Sequence, residues 1–153
     1  MLLRPPHSQD APVLARLAGE LGYPATADEI LGRLQRLLGD PENAVIVAED
    51  TETGVTGWIH VFVCHRLESG PCAEIGGLVV AAGRRGLGVG ARLVAAAESW
   101  AAEHDLGEIR VRSNVLREGA HRFYERLGYR RVKSQAVFAR DLRSREEPAP
   151  DGA

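Results

Sequence analysis

The chain is short of lysine, of cysteine and of long apolar runs, and each shortage excludes something. Lys and Arg together number 19 against 21 Asp and Glu, a formal net charge of −2. That balance argues against a general nucleic-acid binder, which needs a basic surface. Lys133 is the one lysine among those cations, a compositional bias rather than a functional signal. The two cysteines, Cys64 and Cys72, make a poor disulfide framework and lack metal-ligand spacing. A reducing cytoplasm is therefore the expected location, and no metal is implied. No apolar run approaches the roughly 18 residues that a membrane span needs. The start, Met1-Leu2-Leu3-Arg4-Pro5-Pro6, lacks the apolar stretch of a signal peptide.

What is present fits one globular domain. The 153 residues are 44% hydrophobic and 26% charged, enough for a real core. Residues 1–142 are read as that domain. Residues 143–153, RSREEPAPDGA, are charged and proline-rich, the composition of a disordered tail. No internal repeat is visible.

Local patterns place the elements. Leu2 to Arg4 reads as a short edge strand stopped by Pro5-Pro6. Pro12 suits a first helical turn, and Val13, Leu14, Leu17, Ala18 and Leu21 recur at helical spacing before Gly22. Thr26-Ala27-Asp28-Glu29 is a capping box for a second helix carrying Ile30, Leu31, Leu34, Leu37 and Leu38. Strands follow at 44–49, 55–64 and 73–80, joined by turns at 50–54 and 65–71, as an antiparallel meander. In the second of these, Trp58, His60 and Phe62 share one face and Ile59, Val61 and Val63 the other. Gly76-Gly77 inside the last predicts a bulge or a close backbone approach. A helix over 88–104, a strand over 108–112 and a helix over 116–127 complete the middle of the chain. The strand–helix–strand order from 78 to 112 implies a parallel pair. Residues 130–142 read as further strand, in one or two pieces.

The most informative stretch is Glu74 to Ala91, EIGGLVVAAGRRGLGVGA. An apolar strand ends at Gly83, and glycines 86, 88 and 90 then open a helix. Their missing side chains expose backbone N–H groups that have no partner inside the helix. With the positive dipole end behind them, these groups form an anion site suited to a phosphate or pyrophosphate. Two other readings stand beside this one. The loop could be a plain strand-to-helix turn. Gly86 to Ala91 also fits the dinucleotide pattern G-x-G-x-x-A, but Ala81 to Arg85 separate it from its strand, and Ser113 and Asn114 stand where the acidic ribose ligand belongs. A Walker A loop is excluded, because no Gly-Lys-Ser/Thr follows.

Arg85-Gly86-Leu87-Gly88-Val89-Gly90 resembles the R/Q-x-x-G-x-G/A signature of the GNAT superfamily of N-acetyltransferases. Asn114, followed by Ala120-His121-Arg122-Phe123-Tyr124-Glu125-Arg126-Leu127-Gly128-Tyr129, resembles the later motif of the same family. The resemblance covers residues 44–142 and, more loosely, the first 43. Within it, Val111 to Phe138 is similar to bacterial small-molecule members, including aminoglycoside-type enzymes. The chain departs from the pattern at Ala81-Ala82-Gly83, where a proline often precedes the arginines.

The resemblance implies an α/β fold with a mixed sheet. Six to seven mostly antiparallel strands are expected, with a parallel, splayed pair formed by the fourth and fifth, flanked by about four helices. It implies that Arg85 through Ala91, that is Arg85, Gly86, Leu87, Gly88, Val89, Gly90 and Ala91, cradle the pyrophosphate of acetyl-CoA. The pantetheine arm would lie between the splayed strands, pairing with Leu78, Val79 and Val80, and Asn114 would contact it. Asparagine is also a favoured helix N-cap. The first two helices would wall the acceptor site. The implied activity is acetyl transfer from acetyl-CoA to a primary amine of a small molecule, by direct attack in a ternary complex. A non-catalytic acyl-CoA-binding or regulatory module, or acetylation of a protein or peptide amine, are the alternatives. Because many relatives dimerise, a homodimer is expected; no nucleic-acid or membrane partner is.

Such a transfer has three demands. The ammonium must lose a proton, the thioester oxygen needs donors as it becomes an oxyanion, and the leaving thiolate can use an acid. Tyr124 matches the tyrosine of the family's Phe-Tyr pair and is the candidate acid and sulfur contact; alternatively, both aromatics serve the core. Glu74 looks like the catalytic glutamate of the histone-acetylating branch and is the candidate base, directly or through water; a solvated glutamate beside the turn is the alternative. His60 and His65 are rivals, since an imidazole near pKa 6.5 needs no tuning. His65 is expected on a surface loop and His121 as a cap or packing group on its helix. The oxyanion donor is expected at the N–H of Val79 or Val80.

Overall fold

Leu2–Arg4 forms strand β1, and Pro5-Pro6 ends it as expected. A short 3-10 turn over Ser8–Asp10 leads into helix α1, Ala11–Glu20, with Pro12 in its first turn. Helix α2, Ala27–Leu38, starts on the expected capping box: Thr26 Oγ1 accepts the Glu29 N–H at 3.1 Å and the Glu29 carboxylate accepts the Thr26 N–H at 3.5 Å. Strands β2 (Asn43–Asp50), β3 (Gly54–Arg66) and β4 (Ser69–Val80) make the meander. After a second 3-10 turn, Ala82–Arg84, come helix α3 (Val89–Glu103), strand β5 (Ile109–Val111) and helix α4 (Glu118–Arg126). These elements come from a computed structural model that describes residues 1–143. The tail expected to be disordered lies, beyond Arg143, outside the described residues.

The chain divides into two units, Met1–Ser113 and a second beginning at Asn114. The first holds the sheet, in the order β1-β2-β3-β4-β5. All its pairings are antiparallel except β4 with β5, which is parallel as the strand–helix–strand order requires. The β3–β4 hairpin is longer than the sequence implied. Both strands run into the turn, leaving Leu67 and Glu68 between them, and His65 belongs to β3 rather than to a loop.

Each sheet face carries its own core. On one, Val45, Val47, Val55 and Val79 pack with Leu14 and Leu17 of α1 and Leu34 of α2. On the other lie Ile59, Val61, Ala73 and Ile75, with the buried Leu93, Val94, Ala97 and Ala101 of α3. Gly57 fits under α3, since a Cβ there would stand 3.3 Å from Leu93 Cδ1. Leu17, Ile59 and Leu93 are fully enclosed, each worth about 1.5–3 kcal/mol of transfer free energy.

The second unit holds α4, ended by a Schellman motif. Gly128, at φ 93°, follows the last turn; its N–H donates to Glu125 O, and the Tyr129 N–H donates to Tyr124 O at 3.0 Å. The expected strand over 130–142 is not formed. The sheet therefore has five strands among the described residues, not six to seven. Val132, Ala136, Phe138 and Leu142 fall at the even positions a strand face needs, yet no ladder forms there and Val132, Val137, Phe138 and Leu142 are exposed.

Candidate active site

The β4–α3 loop leaves an unusual number of donors free. Arg84 N–H reaches Ala81 O, and the next main-chain donor with a protein acceptor is Arg92, bonded to Gly88 O at 3.1 Å. Among the described residues, no acceptor takes the N–H of Arg85, Gly86, Leu87, Gly88, Val89, Gly90 or Ala91. Gly86 and Gly88 lie at φ 79° and 83°, where an L side chain is strained, and Gly88 caps α3 in that left-handed state. These unpartnered amides sit at the positive end of a 15-residue helix. The geometry is that of an oxyanion or diphosphate cradle.

Of the two arginines beside it, Arg85 stays with the loop and Arg84 does not. Arg85 Nε donates to Val80 O at 3.3 Å. Arg84 turns to the β2–β3 turn, donating to Thr53 Oγ1 at 2.8 Å with Asp50 at 3.7 Å.

The parallel ladder ends early. Ala73, Glu74 and Ile75 pair with Ile109, Arg110 and Val111, and β4 then continues through Val80 with no β5 partner. The Ala81 N–H donates to Thr56 O, toward β3. Alternation then turns the N–H and C=O of Leu78 and Val80 away from β3, to the open edge, and those of Val79 toward Trp58.

The break in the ladder coincides with the expected bulge. His60 pairs with Gly77 and Val61 with Ile75, so Gly76 is the extra residue. A Cβ on Gly76 would meet His60 Nδ1 at 2.8 Å and Phe62 Cε1 at 3.1 Å; one on Gly77 would meet Trp58 at 2.9 Å. The two glycines are thus the floor under the row Trp58, His60 and Phe62, which does share one face.

Glu74 lies at that face opposite Phe62. Its side chain is mostly buried, and its Oε1 accepts from Arg112 Nε at 2.6 Å. His60 Nε2 is 2.8 Å from Asn43 Oδ1, and burial lowers the imidazole pKa below its ordinary value. His65 is exposed, paired with Glu42 at 2.6 Å. Nothing in the sequence singled out Asn43 or Arg112.

In the second unit, Tyr124 is held by its own helix end. Its ring lies 5.7 Å from Tyr129 and edge-on to Phe123 at 5.1 Å. Burial pushes its phenol up to about 12. Asn114 is not the N-cap of α4, which is Arg117. Its Oδ1 accepts the Leu116 N–H at 2.9 Å, and its main-chain oxygen accepts from Arg117 and lies 2.9 Å from His121 Nε2. The other ring nitrogen of His121 lies 3.1 Å from Arg131 Nη2, so polar contacts occupy both nitrogens. Among the described residues there is no group of three metal-ligating side chains, and no helix is long and apolar enough to cross a membrane.

Residues 13–129 match the model of the Acetyltransferase (GNAT) family. Solved structures that share the fold include these three. One is an aminoglycoside antibiotic 6'-N-acetyltransferase, AAC(6')-IG, from Acinetobacter haemolyticus, at 17% identity and TM-score 0.80, covering 93% of this chain and 99% of that one. A transcriptional regulator from Bacillus halodurans C-125 has 24% identity and TM-score 0.80, covering 90% and 98%. Glucosamine-6-phosphate N-acetyltransferase from Arabidopsis thaliana has 17% identity and TM-score 0.78, covering 92% and 98%. No curated protein matches the chain.

Proposed function

The chain belongs to the GNAT family of acetyltransferases, which draw their acetyl group from acetyl-CoA, and on that premise we propose that it acetylates a primary amine of a small molecule by direct attack in a ternary complex. The observation that carries the reading is the run of unclaimed amides from Arg85 to Ala91, next to a β4 edge that β5 leaves open. A diphosphate satisfies the first, and a pantetheine amide can pair with the second. Two neighbours of the same fold act, by their names, on small amines, an aminoglycoside and glucosamine 6-phosphate, which supports the acceptor class.

The proposed roles follow from the chemistry. Gly86 through Ala91 bind the pyrophosphate with their N–H groups, and Arg85 adds a cation. Leu78 and Val80 offer open main-chain groups to the arm. The Val80 N–H is the oxyanion donor, because alternation commits Val79 to β3. Asn114 binds the arm. Glu74, anchored by Arg112, is the carboxylate that draws the ammonium and orders water beside it. Tyr124 serves the departing sulfur. A phenol raised to about 12 holds its proton more firmly than a thiol does. Its contribution is therefore a hydrogen bond that strengthens as the sulfur gains charge, rather than a completed proton transfer.

The test is thiol release from acetyl-CoA with neamine, glucosamine 6-phosphate, spermidine and a lysine peptide. Turnover of a small amine with a slower Tyr124→Phe variant supports the reading. Acetyl-CoA binding with no turnover would make the chain a binding module instead.

A further inference from the structure

We propose that Nδ1 of His60 takes the proton of the acceptor amine, and that Asn43 holds the imidazole in the tautomer this requires. The inference rests on the acetyl-transfer reading above and assigns the step that Glu74 alone does not complete.

A chain of one-way hydrogen bonds fixes the tautomer. Asn43 Nδ2 donates to the Asp40 carboxylate at 3.1 Å. A carboxylate only accepts, so the amide group of Asn43 must present its NH₂ to Asp40 and its oxygen to His60. That oxygen lies 2.8 Å from Nε2 and also only accepts. Nε2 therefore carries the hydrogen, and in the neutral ring Nδ1 keeps its lone pair. The depressed pKa that burial gives His60 leaves the ring neutral near pH 7.

Position supplies the second argument. Nδ1 stands over Gly76, the bulge residue directly after the last β4 residue that pairs with β5. Any side chain at 76 would fill the space, with a Cβ 2.8 Å from Nδ1. Nδ1 thus lies against the Gly76 backbone, at the point where β4 loses its β5 partner. Strand spacing puts β4 itself about 5 Å from β3. Around the ring are Asn43 and Val45 on β2, Trp58 and Phe62 on β3, and Gly76 and Gly77 on β4. Charged groups on the flanking segments include Asp40 behind Asn43 and Glu74 with Arg112. Glu74 has one oxygen committed to the guanidinium, whereas among the described residues no protein donor meets Nδ1.

The step balances. An N–H bond of the ammonium breaks and the proton goes to Nδ1. The freed nitrogen pair bonds to the thioester carbon, the C–S bond breaks, and the sulfur leaves with its pair; the second proton that the nitrogen sheds on becoming an amide goes to that thiolate, so that amide and thiol are both neutral. The imidazolium then returns its proton to solvent.

The experiment measures kcat/KM against pH with neamine and glucosamine 6-phosphate for wild type, His60→Gln, Asn43→Leu and Glu74→Gln, with acetyl-CoA affinity by calorimetry. A general base contributes roughly 10²–10⁴-fold. His60→Gln should lose about 100-fold or more in kcat and flatten the acid limb, while acetyl-CoA Kd stays within about twofold. Asn43→Leu should lose less and shift the limb. An intact limb in His60→Gln, or one abolished only in Glu74→Gln, would overturn the assignment and leave the acetyl-transfer reading standing. Absence of thiol release by wild type would sink that reading itself. Because a variant can misfold, ¹⁵N spectra of the wild-type histidines give an independent check. An Nδ1 without hydrogen at neutral pH is required, and an Nδ1–H tautomer refutes the proposal.

Discussion

The guanidinium of Arg85 folds back on the strand before it, its Nε 3.3 Å from the carbonyl oxygen of Val80. It thereby links the open end of β4 to the glycine turn. Arg84, its neighbour, is spent on Thr53 and Asp50. The two should behave differently. Arg85→Ala should weaken acetyl-CoA binding about tenfold or more, from a charge-assisted bond of roughly 1.5–3 kcal/mol. Arg84→Ala should change it by about twofold at most, as expected of an exposed ion pair. Calorimetric titration decides; equal losses would contradict the assignment of the loop.

Tyr124→Phe should lower kcat by roughly 10- to 100-fold with little change in acetyl-CoA affinity, as a lost hydrogen bond to a charged sulfur would. Since the phenol is pushed up to about 12, it stays protonated through the usual assay range. The wild-type profile should therefore show no alkaline fall from this group between pH 7 and 10. A fall present in wild type and absent in Tyr124→Phe would contradict the assignment.

Gly57 and Gly83 form a matched pair for stability. A Cβ on Gly57 would stand 2.8 Å from Val79 O, a main-chain atom that cannot yield, while Gly83 has nothing within 4 Å. Gly57→Ala should cost about 1–3 kcal/mol, as overpacking does. Gly83→Ala should be neutral or stabilising by up to about 1 kcal/mol. Urea denaturation curves measure both.

Acid stability should centre on Arg4. Its guanidinium bonds both oxygens of Asp10, at 2.8 and 3.1 Å, and the Glu49 carboxylate at 2.8 Å. Those bonds hold both carboxyls below their ordinary values, Asp10 chiefly through the Arg4 hydrogen bond. A depressed folded pKa means the unfolded chain binds its proton first. The stabilisation is complete above about pH 5, beyond the ordinary carboxyl range, and is lost as pH falls through the folded values. Arg4→Met should leave the buried Asp10 without its cation, cost about 1–3 kcal/mol at neutral pH, and remove that part of the acid dependence. Melting temperatures of wild type and variant between pH 3 and 7 test this.

Local features were legible in the sequence because local residues determine them. The capping box at Thr26, the glycine turn at 86–88 and the bulge at 76 each depend on a few neighbouring positions. The site's finer structure depends on pairings between distant ones. The Arg112–Glu74 contact exists only because a parallel ladder aligns Glu74 with Arg110. Asn43 reaches His60 only through the register that sets Val45 opposite His60 and Asn43 opposite Phe62. No spacing along the chain announces either. Residues 130–142 show the converse: Val132, Ala136 and Phe138 at alternate positions are a local strand signal, but a strand also needs a partner elsewhere in the chain, and no ladder forms there.

The central claim is that the amides from Arg85 to Ala91 hold the diphosphate of acetyl-CoA. The most direct measurement follows the backbone ¹H–¹⁵N resonances of Gly86, Gly88 and Gly90 as acetyl-CoA is added to labelled protein. The account predicts that these three amides move downfield, as donors to a phosphate oxygen do, and that Gly88→Ala abolishes the shift. Binding that leaves them unmoved, or no binding at all, would contradict it.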